Sequence, residues 1–380
     1  MARDGARDGA RDVDGCEQSV GGGLSEQGSS AAVKPNSLPT EEGNMKRIVL
    51  TAVGGDVADS VSLEAGAGTS PGTGEVVVEI EAAPVNGADV LFALGWFGVY
   101  PDVPAEMGAE GVGRVVEVGE HVDSALVGQR VAILPSFRFG TWATRTVVPA
   151  RNVVPVPEDA DALQLAMLSV NPATAYALLH DYVELKPGDW VGLNLANSAV
   201  GHYVIALARR AGFKTLAVVR REEAAEQVRR LGADLVVLDG DDLGRRVGQA
   251  LGEAKLRVLF EGTGDPGQTA QLVSAVEDGG TVVAFSSVTG QSPVVPLADL
   301  IYRGVSLRSF FILSWLRNTP REQLERVYGE LSQLIAEGVI GAEVQATYPL
   351  EDYRKALHEA QAAGRAGKVL FVPTTSALIR

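Results

Sequence analysis

The chemistry most legible in this 380-residue chain lies in a run of small residues and in two cations nineteen positions further on. The run is Ala196-Asn197-Ser198-Ala199-Val200-Gly201, and the cations are Arg220 and Arg221. An apolar stretch, residues 189–195, precedes the run as a buried parallel strand would. Residues 200–211 follow with Val204, Ile205, Leu207, Ala208 and Ala211 at helical spacing, and Gly212 closes that helix. A tight turn between strand and helix offers backbone N–H groups to a pyrophosphate, with Asn197, Ser198, Ala199 and Val200 in reach. Against the pattern Gly-x-Gly-x-x-Gly, Gly201 alone remains, the glycine that permits close helix–strand packing. At the end of the next strand an acidic residue would bind a ribose 2′-hydroxyl, whereas guanidinium matches a 2′-phosphate. Arg220 and Arg221 stand there, so type and position predict NADPH. The competing reading has both arginines solvating a helix start beside Glu222 and Glu223.

These groups need a scaffold. Strands are expected over residues 190–195, 215–219, 235–238, 257–260, 281–285 and 306–310, alternating with helices. That pattern predicts a doubly wound, six-stranded parallel sheet in an α/β fold. Residues 48–51, 75–83, 111–118, 130–134 and 143–148 read as strands punctuated by glycine and proline, a β-rich domain. Helices follow over 321–337 and from 352, and residues 368–372 form a last strand. The expected division is 45–170 with 315–380 for the β-rich catalytic domain and 171–314 for the dinucleotide-binding domain, with the site in the cleft between them.

Composition narrows the function classes. A formal charge of −15 argues against nucleic acid and against an anionic membrane surface. No apolar run reaches spanning length. The single cysteine, Cys16, rules out a disulfide within the chain and fits a reducing cytoplasmic location. Residues 1–44 open on an Ala-Arg-Asp-Gly repeat and contain little that could build a core; they read as a disordered tail, with Met45 a candidate start of translation.

Several segments in this order resemble the medium-chain dehydrogenase/reductase superfamily over nearly everything after Met45. They are VNGAD (85–89), GAEGVGRVVEVG (108–119), GTWATRTVVP (140–149), NPATAY (171–176), LKPGDWV (185–191), the nucleotide turn and GKVLFV (367–372). Within it, NPATAYALL, ANSAVGHYVIALARRAGFKTLAVVR and FFILSWLR (310–317) are most similar to zinc-free NADPH-dependent 2-enoyl thioester reductases of the mitochondrial type. The resemblance implies a GroES-like catalytic domain on a Rossmann domain, and a homodimer paired through the strand at 305–310. Zinc chemistry is not expected: Ala109 stands where the zinc branch carries a ligand histidine, and no cysteine follows Cys16. His121, His180, His202 and His358 show no ligand spacing.

Hydride transfer to the β-carbon of an enoyl thioester leaves negative charge on the thioester oxygen and an α-carbon that needs a proton. The resembling reductases supply a tyrosine in a Gly-x-Tyr pattern. Here the same position is Phe97, which can donate nothing. Tyr100, in Gly98-Val99-Tyr100-Pro101, either reaches the place by a loop shift or the family acid is missing. The resemblance places Asn86 in the catalytic group and Thr174 near the nicotinamide. It places Phe285, Phe311 and Ile312 along the cofactor, Lys368 near a cofactor phosphate, and Phe97 and Trp315 at the substrate pocket. Glu110 and Asp89 are read as structural. The function expected is NADPH-dependent reduction of a 2-enoyl thioester. The alternatives are a quinone or enone reductase, and an NADPH-binding relative without turnover. Arg303, Arg308, Arg317 and Arg321 are candidate contacts for an acidic carrier protein.

Overall fold

The computed structural model describes residues 45–66, 70–362, 364–365 and 367–373; the expected tail at 1–44 lies outside them. The chain first builds strands β1 (Met45–Leu50), β2 (Val61–Gly66), β3 (Glu75–Pro84), β4 (Ala105–Glu106), β5 (Gly111–Val118), β6 (Arg130–Ile133), β7 (Arg145–Pro149) and β8 (Val153–Pro155). Helices α1 (Val57–Ser60), α2 (Gly87–Ala93) and α3 (Ala162–Ala166) interrupt them. β1 is flanked antiparallel by β2 and β4, while β3, β5, β6 and β8 form consecutive neighbours of a larger sheet, with β7 also on β3.

α4 (Asn171–His180) leads into the second lobe. There β9 (Trp190–Leu193), α5 (Ala199–Ala211), β10 (Lys214–Val219), α6 (Glu222–Leu231), β11 (Leu235–Leu238), α7 (Leu243–Leu251), β12 (Leu256–Glu261), α8 (Pro266–Val273), β13 (Val276–Ala284), α9 (Leu297–Tyr302) and β14 (Ser306–Ser309) alternate. Among the described residues the sheet has six strands, all parallel, in the order β11-β10-β9-β12-β13-β14. This is the doubly wound order in which the crossover direction reverses beside β9 and opens a crevice at the strand ends. Both faces are covered, which is why the strands read as continuous apolar runs. In β10, Leu216 and Val218 join one buried cluster while Ala217 and Val219 join the other.

α10 (Ile312–Asn318) and α11 (Arg321–Ala336) return the chain to the first lobe, and β15 (Val344–Tyr348), α12 (Tyr353–Gln361) and β16 (Lys368–Phe371) end it. β16 lies between β15, parallel, and β3, antiparallel, with Phe371 opposite Ala83.

Three of the departures from the sequence reading bear on the site. β9 stops at Leu193 rather than residue 195, because the Asn194 amide turns to the Glu261 carboxylate at 2.8 Å and Leu195 takes a left-handed φ of 52°. β13 begins at Val276, ahead of the expected residue 281. β14 ends at Ser309. Phe311 and Ile312, expected to finish that strand, instead cap and open α10, where Trp315 N–H donates to the Phe311 carbonyl at 3.0 Å.

Candidate active site

The turn between β9 and α5 is fixed from below. Asn194 is fully buried; its amide nitrogen donates to Glu261 Oε1, Gln268 Oε1 and Thr263 Oγ1 at 2.8, 2.7 and 3.0 Å, and its Oδ1 accepts from Gly262 N–H at 2.7 Å. Ser198 caps α5 by accepting from Gly201 N–H at 3.1 Å, worth about 1 kcal/mol. Gly201 is required by close approach: a Cβ there would lie 2.3 Å from the Ala196 carbonyl oxygen. Among the described residues, the N–H groups of Ala199 and Val200 have no acceptor. Orphan donors at the start of a thirteen-residue helix fit a diphosphate in charge and in hydrogen bonding.

The crevice beside this turn is lined by Leu195, Asn197, Val218, Arg220, Asp239 and Val288, with other residues at the strand ends. Arg220 forms no ion pair among the described residues. The expected arginine pair parts here. Arg221 stands at the N-cap position of α6 without a side-chain cap bond, and the Cβ position of Gly364 lies 3.5 Å from its Nη1, toward the loop ahead of β16. Phe285 flanks the same strand ends, where a Cβ on Gly262 would meet its ring at 2.6 Å.

A second group gathers where α2, β16, α4 and the segment entering β5 meet. Asp89 Oδ2 accepts from Asn86 N–H at 2.8 Å and Asp89 Oδ1 from Ala109 N–H at 2.8 Å. Asn86 Nδ2 donates to Glu110 Oε1 at 2.8 Å, and Glu110 Oε2 accepts from Val170 N–H at 2.8 Å. Lys368 Nζ donates to Asn86 Oδ1, which Asn171 Nδ2 also approaches at 3.4 Å. All five side chains are buried. Burial pushes Asp89 and Glu110 up to about 7, against the pull of Lys368, and burial lowers Lys368 to about 8, against the pull of Glu110. Lys368, expected beside a cofactor phosphate, is held on Asn86 Oδ1 in this structure, within the electrostatic reach of Glu110 and Asp89. Asn86 joins the lobes, and the reading of Asp89 and Glu110 as structural agrees with bonds that lock α2 to the strand entering below it. Thr174 lies one turn beyond Asn171 on α4, with its hydroxyl donating to the Val170 carbonyl at 2.7 Å.

Phe97 sits between Phe137 and Phe311, at ring-centroid distances of 4.6 and 5.4 Å. This apolar seat carries no hydroxyl. Tyr100 does not replace one here: it is 74% exposed, and its ring edge lies 3.0 Å from the Cβ position of Gly95. Trp315 borders a cavity of about 230 Å³ with Tyr182, Ser309, Phe310, Phe311 and Asn318, and its indole N–H donates to Asp181 Oδ2 at 2.7 Å. Phe311 thus joins the Phe97 seat to this cavity. His202 is buried on α5, and burial alone lowers it to about 4, so it is a neutral packing side chain at pH 7. Among the described residues no group of three or more His, Cys, Asp or Glu could hold a metal ion, and no helix is long and apolar enough to cross a membrane.

Sequence reasoning missed Asp239, Asn171 and the Asn194 bracket. For Asn194 a signal existed: a polar residue closing a strand that is otherwise apolar.

Known proteins share this fold. Residues 72–158 match the alcohol dehydrogenase GroES-like domain, and residues 199–329 match the zinc-binding dehydrogenase domain. A mitochondrial enoyl-[acyl-carrier-protein] reductase of Xenopus tropicalis is 34% identical over 309 residues, which cover 77% of this chain and 85% of that protein. A solved quinone oxidoreductase of Pseudomonas syringae pv. tomato DC3000 superposes with a TM-score of 0.76 at 27% identity, over 87% of this chain and 100% of that one. A solved 2-haloacrylate reductase gives 0.75 at 25% identity, over 87% and 99%. The chain belongs to the zinc-independent medium-chain dehydrogenase/reductase superfamily. It is an oxidoreductase of that family, with a site for a nicotinamide cofactor.

Proposed function

We propose that this oxidoreductase uses NADPH to reduce the carbon–carbon double bond of 2-enoyl thioesters. The observation that carries the cofactor choice is Arg220 at the end of β10, lining the crevice without an acidic partner among the described residues. The substrate class is supported by relatives named as enoyl-[acyl-carrier-protein] reductases and by the apolar seat opening toward the Trp315 cavity. Bound NADPH would supply the hydride. The protein's own work is to hold the diphosphate on the α5 N-terminus, the 2′-phosphate on Arg220 and the substrate against Phe97 and Phe311. The α-carbon proton then comes from water, since neither Phe97 nor the exposed Tyr100 is placed to give it.

That missing donor favours a second reading, a quinone or enone reductase, because such substrates ask less of an enzymic acid. NADPH consumption with crotonyl-coenzyme A, a long-chain enoyl thioester and a simple quinone separates the two. Thioester turnover supports the first reading, and quinone turnover alone overturns it. Arg220→Ser should cut NADPH affinity by about 10- to 100-fold while leaving NADH nearly unchanged. Equal losses for both would remove the 2′-phosphate role.

A homodimer is part of the proposal. β14 is an edge strand of the six-stranded sheet, and Leu297, Ile301, Tyr302 and Leu307 beside it are 69, 62, 83 and 44% exposed. An apolar edge of this kind is suited to pairing with its own copy.

A further inference from the structure

Three polar groups stand at the mouths of three neighbouring strands. Asn197 follows β9, Arg220 follows β10 and Asp239 follows β11. The strands are in parallel register, with Val219 paired to Leu238, so Arg220 and Asp239 are adjacent across the ladder. Asp239 N–H donates to the Val219 carbonyl at 2.7 Å, which fixes its backbone against β10. The Asp239 Oδ1 atom accepts from Gly240 N–H at 2.8 Å. The Oδ2 atom has no partner among the described residues. Arg246 holds the loop beneath, donating to the carbonyls of Leu238 at 2.7 Å and Asp241 at 3.1 Å.

Each of the other polar side chains of the crevice makes a hydrogen bond within the protein, although Asp265, like Asp239, keeps one carboxylate oxygen without a partner among the described residues. Asp265 caps α8 through Gln268 N–H, Gln268 takes the Asn194 amide, and Thr289 donates to the Thr263 carbonyl. Leu195, Val218 and Val288 leave apolar walls between them. Moving outward from the α5 N-terminus, the crevice thus offers diphosphate donors, then a guanidinium, then a slot with apolar walls and a carboxylate at its rim. Two strand spacings separate the first from the last, roughly 10 Å.

We infer that Asp239 reads the base of the bound dinucleotide, accepting a hydrogen bond from the 6-amino group of adenine held between the apolar walls. This rests on the dinucleotide reading of the crevice. A carboxylate only accepts, so it selects a base edge that presents a donor. Adenine presents its amino group there. Hypoxanthine presents a 6-oxo group, whose lone pairs would face the carboxylate.

The test is equilibrium binding at pH 7, followed by nicotinamide fluorescence, of NADPH and of its hypoxanthine analogue, deamino-NADPH. Wild type, Asp239→Ala and Asp239→Asn are compared. A hydrogen bond to a charged acceptor predicts that wild type binds NADPH about 10-fold or more tightly than the analogue. The preference should vanish in Asp239→Ala. In Asp239→Asn, whose amide can donate to a 6-oxo group, it should vanish or reverse. Equal binding of the two dinucleotides by wild type overturns the role of Asp239 and leaves the dinucleotide site standing. A preference that survives both substitutions assigns the reading to another group and overturns it too. If wild type binds neither dinucleotide, the cofactor reading itself fails and this inference falls with it.

Discussion

Replacing Lys368 with methionine would remove the cation that the buried carboxyl groups face at the lobe junction, while keeping a long apolar stem in its place. In the wild-type fold, burial raises Asp89 and Glu110 to about 7 from ordinary values of 3.8 and 4.5, even with Lys368 pulling them down. An acid whose pKa is raised by folding makes the protein lose stability as pH climbs from the unfolded value to the folded one. For wild type that loss ends near pH 7. Without Lys368 both groups rise further, so the loss runs on into the alkaline range. Lys368 carries the opposite sign: folding lowers it to about 8 from 10.5, so a charged Lys368 costs stability below pH 8, a cost that methionine removes. At pH 5.5, with the carboxyls protonated in the fold, Lys368→Met should therefore leave stability unchanged or raise it. By pH 7.5, where Lys368 still carries its proton and the carboxyls ionise, it removes the compensating cation and should cost about 1–3 kcal/mol relative to its effect at pH 5.5. With a urea m-value of about 2–3 kcal/mol/M, the variant's midpoint relative to wild type should be about 0.5–1 M lower at pH 7.5 than at pH 5.5. Urea titrations of both proteins at both pH values, read by tryptophan fluorescence, make the comparison. An equal effect at pH 5.5 and 7.5 would show that Lys368 matters only for packing and would refute the electrostatic reasoning.

Phe97→Tyr puts a hydroxyl into the seat between Phe137 and Phe311 and should raise enoyl-thioester turnover by about 100-fold, with quinone turnover little changed; steady-state rates with both substrates check it. Tyr100→Phe removes an exposed hydroxyl and should alter neither rate by more than about 3-fold. Gly201→Val drives side-chain atoms into the Ala196 carbonyl and should weaken NADPH binding by at least about 10-fold, measured by fluorescence titration. Ile301→Asp charges the exposed patch beside β14; if the dimer forms there, size in solution should fall to that of a monomer at micromolar concentration.

The second lobe was legible because strands buried on both faces must be apolar throughout, and β10 and β11 carry that demand into the sequence. Strand ends were less legible. Leu195 looks like one more strand residue, yet its backbone turns left-handed, a choice set by the Asn194 bracket and not by leucine. The arginine pair shows a limit of reading types without faces. Adjacent residues leaving an extended strand point opposite ways, so one of the two could line the crevice while the other turned away. Lys368 was the hardest to place, because its partner Asn86 lies 282 residues earlier in the chain. Spacing within a motif carries no information about such a contact. At position 97 the sequence showed a lost hydroxyl, and the structure shows why the side chain is retained there: its ring packs between two other aromatic rings.

The placement of β16 bears on how this protein is made. The strand formed by the last described residues is an interior member of its sheet, seated between β15 and β3. The second lobe is continuous in sequence from α4 to β14 and can close as soon as that stretch leaves the ribosome. The first lobe cannot: β7 soon covers the start of β3, but its end at Ala83 and Pro84 waits about 290 residues for Phe371 and Leu370. Pairing across so long a loop is slow to find, and the unfinished edge is exposed throughout synthesis. A nascent chain stalled before Lys368 would thus carry a finished nucleotide-binding lobe and a catalytic lobe still unpaired at the end of β3.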